Sequence, residues 1–350
     1  MKKWLSLVIV GLVGMILMVA ACAPPPEEKA VTPEEFYRGK SLRYICWAAP
    51  GGGHDLYARL FIPYLAKELG LEQFLIDNIG GGTGIVGGNI VYNNVPRDGS
   101  VFGSGSGSSM IAYEVIVGVP DGAQWKSGSE FSIIAIIGTP PPLIVATPEL
   151  PYNSLQELKG VKGLKSGATD PITTHAYQGA VFAECMGLDD YKVVVGYGGS
   201  PIILTAVFNG EVDLAFMAAE TALSNIKAGM VKVIGVLDNK RHPVYPNAQA
   251  VSEVALPGTE KWMEMARALA GTTRMFAGPP GMPEDRLEFI RAAFTRVLQN
   301  PDFQQEIERR DLYIEGAAVG KEAETVRDIV MALSPTEKDE FRDIVFKYQK

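Results

Sequence analysis

Short apolar stretches alternate with amphipathic helical patterns along most of the chain, and this alternation limits the possible folds more than any other feature. Apolar runs rich in β-branched residues predict strands at residues 42–48, 73–76, 101–104, 133–137, 143–146, 192–195, 212–217 and 231–237. A helical pattern follows the first of them. Its apolar residues recur at every fourth position: Tyr57, Phe61, Leu65 and Leu69. Helices between successive strands are typical of βαβ units, so we predict an α/β fold with mostly parallel sheets flanked by helices.

The end of the chain is also predicted to be helical. Ser334 and Glu337 have the spacing of a capping box, in which each side chain binds the backbone N–H of the other residue. An apolar stripe at helical spacing follows, formed by Phe341, Ile344, Val345 and Tyr348. We expect this stripe to be buried, because a helix of a globular protein turns its apolar face toward the core.

Composition excludes several classes of protein. Of the 350 residues, 47% are apolar and 21% are charged, which is typical of soluble globular proteins and, at this length, predicts two domains. Lys and Arg number 32 against 40 Asp and Glu, and the net charge of −8 is opposite in sign to that of most nucleic-acid-binding proteins. The three Cys form no C-x-x-C pair and the three His lie far apart, so we expect neither a metal nor another cofactor.

The first residues have the pattern of an export signal. Lys2 and Lys3 precede an uncharged, mostly apolar stretch at residues 4–21. The stretch ends in Val-Ala-Ala followed by Cys22, which resembles the lipobox of bacterial lipoproteins. We predict a signal peptide over residues 1–21 and a lipid on Cys22 that holds the protein in the periplasm or at the outer face of a membrane. An uncleaved membrane helix is the alternative, since the stretch is close to the minimum spanning length.

A stiff, polar segment with three consecutive prolines follows the predicted lipid site. We interpret residues 22–36 as a tether between the lipid and the folded part of the chain. After lipidation, Cys46 and Cys185 are the remaining thiols. Cys46 lies in a predicted apolar strand and is interpreted as a small core residue. The sequence leaves open whether the two form a disulfide.

Glycine is enriched, with 38 of 350 residues, or about 11%, against a typical share of about 7%. The first cluster, Gly51, Gly52 and Gly53, lies between the first predicted strand and its helix. Glycines there let the backbone approach a ligand closely, and the helix start offers unpaired N–H groups to an anion. We predict that these glycines and Asp55 contact a ligand. A purely structural role for Asp55 as a helix cap is the alternative.

The second glycine cluster, at residues 80–88, contains a formal match to the dinucleotide fingerprint G-x-G-x-x-G between Gly82 and Gly87. We reject a dinucleotide site, because the fingerprint follows the first strand of its βαβ unit, whereas here two predicted strands and a helix come first. The acidic residue expected about 20 positions later is also missing.

The third cluster, residues 103–109, alternates glycine with serine directly after a predicted strand. Serine hydroxyls are suitable donors for a carboxylate or an amide, so we interpret this run as a binding loop with Ser106 and Ser108 as ligand contacts. A flexible loop without function is the alternative. No serine of the run lies in the G-x-S-x-G pattern of nucleophile-elbow enzymes, and Glu34 stands where a P-loop ending in Ser41 requires glycine.

The order of the motifs along the chain resembles that of one protein family. The landmarks are residues 49–55 with the first glycine turn, Asn78 with residues 80–88, residues 96–99, Tyr197-Gly198-Gly199, and residues 210–213, 226–229, 241–246 and 277–283. In this order and spacing they resemble the solute receptors of tripartite tricarboxylate transporters, the TctC or Bug family, from about Tyr37 to the C-terminal helices. The sequence departs from the family pattern at His54, where Thr is usual, and at Ile79-Gly80, where Arg-Pro is usual.

The resemblance implies a two-domain periplasmic-binding-protein type II fold with a ligand cleft between the domains. Residues 37–138 and 259–350 would form the first, discontinuous domain and residues 139–258 the second, with a hinge where the chain crosses. The resemblance also implies a small carboxylate as ligand, the membrane permease subunits of a transporter as partners, a monomer, and no catalytic activity.

In the second domain, the resemblance implies helix starts and a glycine turn at the cleft. We therefore expect ligand contacts from a further set of residues: Thr173, Thr174, Tyr197, Gly198 and Gly199. His175 is interpreted as a structural residue rather than a ligand contact. Glu220 follows a predicted strand and is either an acceptor for a ligand ammonium or hydroxyl, or a solvated loop acid.

Two other functions are compatible with the sequence. α/β folds host many enzymes, but the chain has no recognisable nucleophile, metal or acid–base pattern. A sensory receptor, whose closed form docks on a signalling partner, would have the same sequence features as a transport receptor.

Overall fold

The computed structural model describes residues 31–138 and 141–350. The predicted signal peptide, Cys22 and most of the tether lie outside these residues. Contacts divide the chain into residues 1–36 and residues 37–350, and both sheets belong to the second unit. Among the described residues, no helix combines the length and the apolar character that crossing a bilayer requires.

Strands and helices alternate over the described part of the chain. The strands are β1 (Ser41–Cys46), β2 (Gln73–Asn78), β3 (Val101–Ser106), β4 (Ser132–Ile137), β5 (Leu143–Ala146), β6 (Lys165–Gly167), β7 (Lys192–Val194), β8 (Leu214–Met217), β9 (Lys232–Val236), β10 (Arg274–Gly278) and β11 (Ala317–Val319). The helices are α1 (Pro33–Tyr37), α2 (Gly53–Glu68), α3 (Ile85–Asn93), α4 (Gly107–Ile116), α5 (Thr174–Met186), α6 (Ser200–Phe208), α7 (Ala219–Lys227), α8 (Glu260–Gly271), α9 (Glu284–Gln299), α10 (Pro301–Arg309), α11 (Lys321–Met331) and α12 (Pro335–Lys347). This arrangement confirms the α/β class.

The first sheet has the strand order β11-β4-β10-β3-β1-β2. β1 pairs in parallel with β2 and β3, whereas β10 is antiparallel to β3 and β4, and β11 is antiparallel to β4. β1 to β4 therefore run in one direction, and their carboxyl ends lie at the same edge as the starts of β10 and β11. This is the edge of an α/β sheet at which ligands bind.

The second sheet has the strand order β7-β6-β8-β5-β9. β6 pairs in parallel with β7 and β8, while β5 is antiparallel to β8 and β9. β6 to β9 therefore share one direction, and the start of β5 lies at their carboxyl edge. Most strands of each sheet share one direction, as predicted, while β5, β10 and β11 run antiparallel to their neighbours and make both sheets mixed.

Aromatic side chains fill the layer between the first sheet and the helices α2, α9 and α10. The ring centroid of Phe61 in α2 lies 4.8 Å from that of Phe294 in α9 and 4.6 Å from that of Phe303 in α10. The ring of Phe276 in β10 lies 4.9 Å from that of Phe294, and all four side chains are buried. Rings at such distances attract each other beyond the effect of their burial. This packing fixes α2, whose start reaches the candidate site.

The second sheet packs against α5, which also contacts α8 and α12. These three helices contribute aromatic side chains to one buried cluster: Tyr177, Phe182, Trp262 and Phe341. α8 and α12 lie within residues 259–350, which the prediction assigns to the first domain. Their apolar faces nevertheless contact α5, the helix beside the second sheet. The domain boundaries stay a prediction.

The described structure confirms several local predictions. Each predicted strand overlaps an observed one, and the predicted helix at residues 55–69 corresponds to α2. The capping box is present, with the Glu337 N–H donating to Ser334 Oγ at 3.2 Å, and the stripe that follows is buried. Cys46 and Cys185 are both buried and unpaired, as expected for core residues.

The glycine–serine run is not the loop that its composition predicts. Its first part, up to Ser106, belongs to β3, and its second part begins α4. A Cβ atom on Gly103 would overlap the carbonyl oxygen of Ile45 in β1, and one on Gly105 would lie 2.6 Å from Trp47 Cβ. Both glycines therefore permit close packing at the middle of the sheet rather than flexibility.

Candidate functional site

A cavity of about 1040 Å³ is lined by residues from the carboxyl edges of both sheets. Its walls contain residues at or after the ends of β1 to β4 and β6 to β9, and residues at or just before the starts of β5, β10 and β11. In α/β proteins, ligands bind in crevices outside this edge. The cavity is therefore the candidate functional site.

The loop between β1 and α2 forms one wall of the cavity. Gly52, Gly53 and His54 line it, and Ser106 at the end of β3 lies beside them on the wall. Gly52 is the N-cap residue of α2, and no side chain caps this helix start. The first N–H groups of a helix have no partner inside the helix, so those of α2 are available to a ligand.

Three helix starts from the second sheet line the cavity as well. They belong to α5, α6 and α7, and their N-cap residues are Thr173, Gly199 and Ala218. None of these starts is capped by a side chain. Together with α2, four helices therefore turn their starts, and with them the positive ends of their dipoles, toward the cavity.

The structure brings together most of the residues predicted as ligand contacts. The following lie on the cavity wall: Gly52, Gly53, Ser106, Thr173, Thr174, Tyr197, Gly198 and Gly199. Gly51, in the same loop as Gly52, and Asp55, in the first turn of α2, do not line the cavity. Ser108 lies in the first turn of α4, directly after β3.

A family model described as the tripartite tricarboxylate transporter family receptor, TctC, matches residues 58–325. The chain belongs to this family. The resemblance found in the sequence is thereby confirmed, and the protein is a solute-binding receptor of the kind that works outside the cytoplasm.

Two curated relatives are similar to the receptor over most of their length. A UPF0065 protein of Pseudomonas sp. strain P51 is 24% identical over 315 residues, which cover 88% of this chain and 87% of the relative. A UPF0065 protein of Bordetella pertussis is 28% identical over 275 residues, which cover 76% of this chain and 79% of the relative.

Solved structures share the fold of the receptor. R. palustris Rpa4515 with adipate has a TM-score of 0.73 at 21% identity, over 88% of this chain and 97% of that one. MatC from Rhodopseudomonas palustris with bound malate has a TM-score of 0.66 at 20% identity, over 87% of this chain and 99% of that one. The periplasmic binding protein BugD has a TM-score of 0.69 at 18% identity, over 90% of this chain and 100% of that one.

Behind the cavity wall, Asp55 holds the β1–α2 loop of the receptor in place. Its carboxylate accepts hydrogen bonds from the Gly51 N–H at 2.9 Å, from Asn78 Nδ2 at 2.9 Å and from Arg59 Nε at 3.0 Å. Asn78 Nδ2 also donates to the Ala48 carbonyl oxygen at 3.2 Å. Burial alone would raise the pKa of Asp55, but these hydrogen bonds outweigh it and hold the pKa below its usual value. The network favours a supporting role for Asp55.

Replacing Asp55 with Asn is expected to destabilise the receptor by about 2 kcal/mol at neutral pH, because an amide N–H₂ would face other donors. The pKa of Asp55 is lower in the folded state than in the unfolded state, where it is about 3.9. The contribution of the carboxylate is therefore present above that pH and is lost as the pH falls through the folded pKa. Urea unfolding should show the difference between variant and wild type shrinking as the pH is lowered.

Asp77→Asn is the matched control for this prediction. Asp77 pairs with Arg43 at 2.7 Å, but both side chains are exposed, and exposed pairs contribute about 0–1 kcal/mol. A loss of stability in D55N no larger than that in D77N would contradict the supporting role of Asp55.

The start of α5 is fixed by Asp170, which also lines the cavity. Thr173 Oγ1 donates to the Asp170 carbonyl oxygen at 3.0 Å. The Asp170 carboxylate accepts the Ile172 N–H at 3.2 Å and the hydroxyl of Tyr113 in α4. α4 follows β3 of the first sheet, whereas α5 follows β6 of the second sheet. The hydrogen bond between Tyr113 and Asp170 therefore connects elements that belong to different sheets.

Two histidines of the cavity wall are uncharged near neutral pH. Burial, with smaller effects of Arg274 and His175, lowers the pKa of His54 to about 3, and burial lowers the pKa of His175 to about 4. His175 Nε2 lies 3.2 Å from Ser200 Oγ, and its Nδ1 has no hydrogen-bond partner among the described residues. His175, interpreted from the sequence as structural, thus lies on the cavity wall as a neutral polar group.

Arg274, the first residue of β10, is a residue of the site that the sequence reasoning missed. It is buried, lines the cavity and forms an ion pair with Glu220 in the first turn of α7. Its Cζ atom lies 3.8 Å from the centroid of the Tyr57 ring. Glu220 is therefore a buried, paired acid rather than a solvated loop acid. A single arginine at the start of an otherwise apolar strand is the sequence signal that points to this site.

Positive side chains do not outnumber negative ones on the described part of the cavity wall. Arg267 and Arg274 are accompanied there by Asp170, Asp238 and Glu315. Arg267 Nε lies 3.6 Å from the Asp238 carboxylate, and Arg274 pairs with an acid behind the wall. An anion in the cavity would therefore depend on helix starts and local donors rather than on the net charge of the side chains.

Proposed function

We propose that the receptor captures a small carboxylate in this cavity and delivers it to the permease subunits of a tripartite transporter. The observation that carries the proposal is the convergence of four uncapped helix starts on a cavity without an excess of positive side chains. A carboxylate pairs with the free N–H groups and interacts favourably with the helix dipoles. The solved relatives with adipate and with malate support this ligand class.

The first-sheet contacts are proposed to be the N–H groups of Gly52 and Gly53 together with Ser106. Gly51 and Asp55 contribute by holding the loop at the start of α2 in its shape. Ser108, in the first turn of α4, stays a proposed contact.

The second-sheet contacts are proposed to come from Thr173 and Thr174 at the start of α5 and from the turn Tyr197-Gly198-Gly199 before α6. Residues 37–138 with 259–350 and residues 139–258 are the proposed domains. A hinge between them would let these contacts close over the ligand.

We also propose that the receptor is exported, loses residues 1–21 and acts as a monomer anchored by a lipid on Cys22. The support is the lipobox-like sequence before Cys22, together with the membership of a family that works outside the cytoplasm. A lipid of this kind contributes about 0.8 kcal/mol for each methylene buried in the bilayer.

Replacing Cys22 with alanine is expected to move the receptor from the membrane fraction to the soluble fraction, because the variant cannot carry the lipid. Immunoblots of fractions separated by ultracentrifugation measure the change. Cys46→Ala is the control and should stay with the membranes, since it leaves the lipobox-like sequence intact. A Cys22→Ala protein that still pelleted with membranes would indicate a helical anchor instead.

A thermal-shift screen of the purified receptor tests the proposed function. Mono- and dicarboxylates, including adipate and malate, are added at increasing concentration, and a true ligand at 100 times its Kd adds about 2.7 kcal/mol of stability. We expect one or a few carboxylates to raise the melting temperature and to be recovered unchanged, as NMR spectra would show. Turnover of the ligand, or no stabilisation by any carboxylate, would contradict the proposal.

A further inference from the structure

We propose that Arg274 binds a carboxylate of the ligand directly through Nη1, with Glu220 and Tyr57 as positioning residues for its guanidinium. The inference rests on the proposed function, because it assigns the carboxylate a side-chain partner in the same cavity. It adds one charged contact to a set of proposed ligand contacts that otherwise come from backbone N–H groups and neutral side chains.

The guanidinium of Arg274 is buried but only partly satisfied. Its side chain is 5% exposed, its Nη2 donates to Glu220 Oε1, and its Cζ lies over the ring of Tyr57. Its Nη1 has no hydrogen-bond partner among the described residues, although Arg274 lines the cavity. A buried charged donor without an acceptor is unfavourable, so Nη1 favours an acceptor that arrives with the ligand.

The guanidinium of Arg274 lies beside two of the uncapped helix starts. A Cβ atom on Gly53, the first residue of α2, would lie 3.8 Å from Arg274 Nη2 and 3.2 Å from Thr221 Oγ1 in the first turn of α7. In the first sheet, Arg274 is paired in register with Ser106 of β3. A carboxylate at Arg274 would therefore lie close to the first turns of α2 and α7, where the helix dipoles favour negative charge.

The pair with Glu220 balances the positive charge of Arg274. Glu220 is buried in the first turn of α7, where a carboxylate is favoured. A ligand carboxylate at Nη1 would place Arg274 between two negative groups, which repel each other. Removing the charge of Glu220 should therefore strengthen ligand binding. If the ion pair had only a structural role, the same substitution would not raise the affinity for the ligand.

Isothermal titration of the receptor with adipate, malate and straight-chain monocarboxylates, continued with the tightest of them, tests the inference. The double variant Arg274→Gln, Glu220→Gln replaces the ion pair with two uncharged polar side chains and should weaken binding by about ten- to hundredfold. Glu220→Gln alone keeps Arg274 and an acceptor oxygen for its Nη2, so the guanidinium stays positioned while the negative charge is removed, and this variant should bind the ligand at least as tightly as the wild type.

Arg291→Gln is the matched control. Arg291 is also buried and pairs with Glu324, but it does not line the cavity. This variant should keep the wild-type Kd for the ligand even where it lowers the melting temperature. It therefore separates a loss of affinity from a loss of stability.

Each outcome decides whether Arg274 binds the ligand or only stabilises the fold through its ion pair. A folded double variant that binds within about twofold of the wild type would overturn the inference, as would a Glu220→Gln protein with weakened binding. Far-UV circular dichroism shows whether each variant folds. If one of them does not fold, the ligand affinity of the other still tests the inference. If the wild type binds none of the named carboxylates, the proposed function fails, and this result differs from a selective change in one variant.

Discussion

Replacing Gly103 with alanine is expected to prevent the chain from reaching its folded state. The new Cβ atom would overlap the carbonyl oxygen of Ile45 and lie 2.8 Å from Trp47 Nε1. Ile45 and Gly103 are partners in the register of β1 and β3 at the middle of the first sheet, so relief would require two paired strands to separate. We expect a loss of more than about 4 kcal/mol, a large part of the 5–15 kcal/mol that stabilises a typical domain.

Soluble yield, far-UV circular dichroism and urea unfolding measure this effect. Gly271→Ala is the matched control, because no heavy atom lies within 4 Å of the Cβ position at Gly271. That variant should change the free energy of unfolding by no more than about 0.5 kcal/mol. A G103A protein with the unfolding midpoint of the wild type would show that β1 and β3 do not approach each other as described.

Replacing Arg274 alone with Gln is also expected to have a large effect and to lower the free energy of unfolding by about 3–5 kcal/mol. The substitution leaves Glu220 buried with no opposite charge, and removing one partner of a buried ion pair is far more harmful than removing both. The double variant Arg274→Gln, Glu220→Gln should therefore recover most of the loss. Urea unfolding of the wild type, both single variants and the double variant gives the coupling energy of the pair.

Arg43→Gln provides the comparison for an exposed pair, because the Arg43 and Asp77 side chains both reach solvent. We expect it to change the free energy of unfolding by about 0–1 kcal/mol. Equal losses in the single R274Q variant and in the double variant would contradict the account, since the instability would then not arise from an uncompensated Glu220.

The fold of this receptor could be predicted from its sequence where the apolar pattern is strong. Runs such as Leu143–Ala146 are buried on both faces of a sheet and are apolar throughout, and the long helix α2 repeats its apolar residues at helical spacing. β6, β10 and β11 were missed. β6 and β11 have three residues each and no long apolar run, whereas β10 has five residues, begins with Arg274 and is buried throughout. The partners of such short strands lie far away in the sequence.

The glycine–serine run shows where composition misleads. Glycine serves both flexible loops and places where two backbones or a large ring come close together, and the two uses look alike in a sequence. At Gly103 and Gly105 the second use applies, since the neighbouring atoms belong to β1 and to the residue Trp47 that follows it. The identity of those neighbours depends on strand order, which the local sequence does not contain.

Some residues of the candidate site can be predicted from the sequence around them, whereas others depend on contacts between distant parts of the chain. Gly52 and Gly53 follow the first predicted strand and could be proposed from the local sequence, whereas Thr173 and Thr174 were expected from the family resemblance. All four lie on the cavity wall. The contact between Arg274 and Glu220 joins residues that are far apart in the chain: Arg274 lies in β10 of the first sheet, and Glu220 lies in α7, which follows β8 of the second sheet. Only the packing of the two sheets brings them together.

Titration of the wild-type receptor with its tightest carboxylate and with the corresponding primary amide tests the central claim most directly. The two compounds have nearly the same size, but the amide has no negative charge and places an N–H₂ group against the donors of the helix starts and of Arg274. We expect the carboxylate to bind and the amide to bind about a hundredfold more weakly or not at all. Equal affinity for both compounds would contradict recognition of an anion by this cavity.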